Sequence, residues 1–124
     1  MMVLIKKFED IVAWQEARKL VASIYKITNT GALAKDYGLR DQIQRASVSA
    51  MTNIAEGFDC ESKVEFARFL GIARRLAVEV QSLLYSALDV GYINEQVFKA
   101  EYQQAEKTKA LIGGLKKSLK PKDT

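Results

Sequence analysis

The side chains of this chain that are capable of chemistry are carboxylates, lysines, tyrosines and a single thiol, because its 124 residues include no histidine. Imidazole is the commonest general base and the commonest metal ligand. Its absence removes the Ser-His-Asp triad, the Cys-His dyad, zinc sites that need imidazole and the Glu-x-x-His di-iron bundle. Neither Gly-x-x-x-x-Gly-Lys nor Gly-x-Gly-x-x-Gly occurs, so no phosphate-cradling loop is expected either. Cys60 is the only cysteine; an internal disulfide is impossible and a reducing compartment fits. One polar constellation stands out. Gln42, Arg45, Ser49, Asn53 and Glu56 follow a 3-4-4-3 spacing. On a helix that spacing gathers them into an arc of roughly 80°. Amide, guanidinium, hydroxyl and carboxylate groups so arranged can bind or be bound, but Ser49 without a general base is inert as a nucleophile. The expectation is a protein that docks something: no enzyme, no cofactor and no metal.

Helices must position these groups. Proline appears once, at Pro121, and no sustained β-branched alternation is present. Four segments of helical period are separated by short breaker clusters, predicting an all-α, antiparallel up-down-up-down four-helix bundle. The first helix spans about residues 9–28. Ile11, Trp14, Ala17, Leu20, Val21, Ile24, Tyr25 and Ile27 fall on one side; Gln15, Glu16, Lys19, Ser23 and Lys26 fall opposite. The second spans about 39–56, with Gly57 as its stop and a narrow inner stripe of Leu39, Ile43, Ala46, Ala50 and Ile54. The third starts at the capping box Ser62-Lys-Val-Glu65 and runs to about Asp89, before Gly91. Its apolar arc is the widest, so it should be the most buried helix. The fourth is capped by Asn94 and loosens at Gly113-Gly114 before Pro121. No apolar run approaches the roughly 18 residues that span a bilayer, and residues 1–7 are too short for a secretory signal. A single domain over residues 1–124, in the cytoplasm and off the membrane, is expected. The wide arcs of helices one and three exceed what a minimal bundle hides, which favours self-association.

Charge is unevenly placed. Residues 107–124 carry six lysines and one aspartate, a net +5 within a chain of net +4, so the first 106 residues sit at −1. Residues 116–124 form a short basic tail, in which Lys116, Lys117, Lys120 and Lys122 either attract a polyanion or simply solubilise a helix end. Arg68 and Arg75 share the outer side of helix three and could grip phosphates, with surface pairing to Glu65 and Glu79 as the plainer reading. Tyr92 and Tyr102 could stack on bases. The five-residue stripe on helix two admits three readings: an inter-helix network that sets bundle register, a subunit interface, or a ligand or RNA contact.

Particular strings carry a further signal. Gln42-Ile43-Gln44-Arg45-Ala46, Ser49, and Asn53-Ile54-Ala55-Glu56-Gly57 resemble the signature of the four-helix-bundle proteins encoded in intervening sequences of bacterial 23S ribosomal RNA genes. Phe8-Glu9-Asp10-Ile11 with Trp14-Gln15-Glu16-Ala17 is similar to that family's opening, and Glu65 to Ala73 and Leu88 to Ile93 to its third helix and third turn. The chain departs from the pattern at Arg75-Leu76, where relatives carry Gly-Ser, and at Ala32-Leu33-Ala34, where they carry a proline. The resemblance implies a ring-like homo-oligomer, a pentamer, that associates with RNA. It also implies an alternative. The accessory proteins of diversity-generating retroelements look similar, so a scaffold docking a protein such as a reverse transcriptase is the second reading. A helical RNA-cleaving toxin would need an arginine–histidine motif that a chain without histidine lacks.

Overall fold

The computed structural model of the protein describes residues 5–120. A 3-10 turn at Phe8–Asp10 precedes α1 (Val12–Thr28), and a second at Leu33–Lys35 separates it from α2 (Tyr37–Asp59); α3 (Lys63–Asp89) and α4 (Glu95–Ser118) follow. Each helix packs on its chain neighbours, and α4 closes back on α1. The contacts fix direction. Glu16 and Ser23 of α1 meet Gln104 and Glu101 of α4 in reversed order. Gly71 and Gln81 of α3 likewise meet Lys116 and Glu106 of α4. Gly57 of α2 lies against Phe66 and Phe69 of α3, while Ala46 and Leu76 share a groove farther along. This is the expected up-down-up-down bundle.

Side-chain caps set the helix starts. Asp36 accepts from the Leu39 amide at 3.1 Å, Ser62 from Glu65 at 3.3 Å and Asn94 from Val97 at 2.8 Å. The capping box at Ser62 is only half used, because the Glu65 carboxylate turns outward to Arg68. Two boundaries differ from expectation. Ile11, buried and extended at φ −77° and ψ 118°, splits the first segment into a turn and a helix. Gly57 does not stop α2. It is buried inside the helix, where an added Cβ would lie 2.5 Å from the Phe69 Cβ, so its role is close approach of α3. The chain reverses instead at Glu61, φ 55°, a left-handed conformation that costs a non-glycine residue on the order of 1 kcal/mol.

The core lies in two clusters along the bundle axis. Near the termini Ile11, Ala17, Ile54, Phe66, Leu70 and Ile112 pack together; at the other end are Leu20, Ile24, Ile43, Val80, Leu84 and Ala105. Each such leucine or isoleucine contributes about 1.5–3 kcal/mol by leaving water. α3 supplies more buried residues than any other helix, as its wide arc predicts. α4 passes through Gly113-Gly114 unbroken. Among the described residues, no helix is long and apolar enough to cross a membrane.

Candidate functional site

The polar stripe of α2 faces outward. Gln42, Arg45 and Glu56 are exposed, and Ser49 and Asn53 are half-buried. The Asn53 Nδ2 donates to the Ser49 carbonyl at 2.8 Å, a bond that stays within its own helix. Among the described residues, none of the five side chains bonds to another helix, so the inter-helix network is not what this stripe forms within one chain. The physical reason is rotational. Ile43, Ala46, Ala50 and Ile54 take the inward side together with Ser47 and Gly57, and the stripe beside them is left at the rim. Arg45 and Ser49 stand on a crest between two grooves. One, of about 360 Å³, opens toward α1 past Tyr25 and Gln44; the other, of about 200 Å³, opens toward α3 past Leu76 and Glu79. The residue that does tie α2 to α1 is Gln44, whose Nε2 donates to the buried Thr28 hydroxyl at 2.8 Å.

The basic residues divide into two groups. Arg68 is held on its own helix: its guanidinium donates to Glu65 at 3.0 Å and lies 4.7 Å from the Phe69 ring. Arg75 is exposed on the same helix. Lys116 and Lys117 belong to the last turn of α4 and are not part of a free tail; Lys120 follows just beyond, and Lys122 lies outside the described residues. Lys116 and Lys120 converge with Lys63 of α3 around a groove of about 320 Å³. The two tyrosines are engaged internally. The Tyr92 hydroxyl donates to Asp36 at 3.0 Å, and that bond raises the phenol above its ordinary pKa. Tyr102 is half-buried in a cluster with Phe98 and Tyr85, at centroid distances of 5.5 and 5.9 Å. Cys60 is exposed and free.

A polar seam between α1 and α4 is the feature that periodicity misplaces. Glu16 is only 6% exposed, although its residue type and neighbours suggest the solvent side. Its carboxylate accepts from Gln104 at 3.0 Å and from Lys19 at 2.9 Å, with Lys107 at 3.5 Å. The Gln104 bond first, then that of Lys19, lowers its pKa to about 2 against the opposing effect of burial. Two turns farther along α1, the Ser23 hydroxyl donates to buried Glu101, whose pKa is raised by desolvation. A signal did exist: Glu16 falls at helical spacing from Ala13 and Leu20, both buried.

Comparisons with known proteins agree with this architecture. A family model described as 23S rRNA-intervening sequence protein matches residues 9–114. No curated protein matches the chain. Among solved structures, a protein of unknown function from the S23 ribosomal protein family of Bacteroides thetaiotaomicron superposes with a TM-score of 0.79. It is 20% identical, and the alignment covers 86% of this chain and 96% of that one. At that identity the likeness is one of fold.

Proposed function

This chain belongs to the 23S rRNA-intervening sequence protein family, and from that premise we propose that it is a non-enzymatic, cytoplasmic homo-oligomer that associates with RNA. The observation that carries the reading is the outward face of α2: a guanidinium, amides, a hydroxyl and a carboxylate, half-buried or exposed, with no partner on another helix among the described residues. Such groups at a groove edge are suited to pairing with a second surface, since polar groups covered by an interface require partners. Exposed apolar side chains point the same way: Val12 and Tyr25 on α1, and Val78 and Tyr85 on α3, remain uncovered in a single chain. The family resemblance makes a ring, and five subunits, the specific expectation. The catalytic alternative has no support in residue type, because no histidine is present to activate Ser49 or Cys60.

Native mass spectrometry of the full chain tests assembly. A closed oligomer that Arg45→Glu dissociates is expected; a monomer at every concentration overturns the assembly reading. RNA association is tested by binding at graded salt, where affinity should fall steeply because counterions released into saltier solution gain less entropy. Glutamine in place of Lys116, Lys117, Lys120 and Lys122 should weaken it while leaving the last turn of α4 helical. Binding that ignores salt counts against the reading. Stoichiometric capture of a protein by nuclease-treated material would instead favour a docking scaffold.

A further inference from the structure

Across the α3/α4 seam, each helix offers a glycine where the other lays a cation. A Cβ built at Gly71 of α3 would meet the Lys116 Nζ at 3.1 Å, and one at Gly113 of α4 would meet the Arg74 Nε at 3.7 Å. The exchange is reciprocal because Gly71 and Arg74 are three residues apart on one helix, as are Gly113 and Lys116 on its antiparallel neighbour. Two like charges are thereby held in one seam. Among the described residues neither forms an ion pair, whereas Lys19, Arg68, Lys107 and Lys109 all do. The acid with a charge effect from Arg74 is Glu106, but its carboxylate already takes bonds from Gln81 at 2.9 Å and Lys109 at 3.0 Å. Toward the termini the seam widens into a groove bounded by Lys63, Lys116 and Lys120 and floored by Val64, Ala67 and Leu119; among the described residues no carboxylate lines it. Val64 is 78% exposed on that floor.

We propose that this seam, from Arg74 and Lys116 to Lys120 and Lys63, is a binding track for the backbone of single-stranded RNA. The inference rests on the RNA-associated reading above and assigns it a place and a strand form. Ammonium and guanidinium groups that form no ion pair among the described residues suit phosphate oxygens. The track is about 16 Å long from Lys63 to Arg74 at the helical rise, enough for several phosphates. Its aliphatic floor decides the strand form. Duplex RNA keeps its apolar base faces stacked inside and presents phosphates and 2′-hydroxyls, whereas an unpaired strand can lay sugars and splayed bases against Val64, Ala67 and Leu119.

The test uses the full chain, a labelled oligouridylate, and the same strand annealed to oligoadenylate as the duplex probe. Arg74→Gln with Lys116→Gln is compared with Lys26→Gln with Lys99→Gln, which removes equal charge from exposed positions elsewhere. The seam pair should weaken oligouridylate binding about tenfold and lower the slope of log affinity against log salt by about 1.4, while the control pair stays near wild type. Gly71→Ala, which changes no charge but pushes on the Lys116 ammonium, should weaken binding by a smaller factor with unchanged helical circular dichroism. Equal weakening by both pairs would show a diffuse field and overturn the seam while leaving RNA association standing. Equal affinity for the duplex overturns the assigned strand form. No oligouridylate binding by wild type at low salt would overturn the seam and the RNA reading together.

Discussion

The α1/α4 seam and the outer face of α2 are both built from polar side chains beside an apolar stripe, yet they end in opposite states. On the seam, Glu16 is enclosed by Gln104, Lys19 and Lys107, and Glu101 by Ser23. On α2, Arg45, Gln42 and Glu56 stay exposed, and Asn53 donates to the Ser49 carbonyl of its own helix. The seam is therefore part of what folds one chain, and the α2 face is available to whatever meets that chain from outside. Polarity beside a core does not by itself mark a functional surface. What separates the two is whether the neighbouring helix brings a complementary group to the same level.

Glu16 carries the largest expected effect. Glu16→Ala leaves Gln104 and two lysines facing a lost carboxylate, and should reduce unfolding free energy by about 2–3 kcal/mol; a loss near zero in urea titrations at fixed protein concentration would mean the seam is not structural. Acid should expose the same residue. Its pKa, lowered from 4.5 to about 2, contributes stability present above the unfolded value and lost as pH falls through the folded one. The wild type should therefore lose ground to Glu16→Ala between about pH 5 and 2, read by circular dichroism melts across that window. Arg45→Ala and Asn53→Ala should each change the folding stability of the single chain by about 0.5 kcal/mol or less while weakening self-association in sedimentation; a folding cost above about 1.5 kcal/mol would place them with the seam. The smallest effect belongs to Glu101→Gln. Desolvation raises the Glu101 pKa, so the charged form costs the folded state at neutral pH and that cost vanishes as the carboxyl protonates. The glutamine variant should be slightly more stable at pH 7, with the advantage fading toward acid.

Much of this was legible in the chain itself. The four helices, their caps at Ser62 and Asn94, the reversal near Gly91 and the dominance of α3 in the core all follow from local pattern, because capping chemistry and 3.6-residue periodicity act within a few residues. Gly57 shows the limit of that logic. A glycine near the end of an apolar run reads as a stop, but here it is a contact point for Phe66 and Phe69, nine and twelve residues onward across a turn. Glu16 shows it again, since helical position allowed burial and only the arrival of Gln104, 88 residues later, made burial of a carboxylate tolerable.

Absence of histidine, helical period and the basic C-terminal segment were thus settled by residue type and order alone. The tertiary structure decided which polar groups were paired, which faces stayed open, and that Arg74 and Lys116 share one seam across two glycines. The reason is that partnering depends on the rotation and level of a neighbouring helix, quantities set by packing between segments distant in the chain and written in no single one of them.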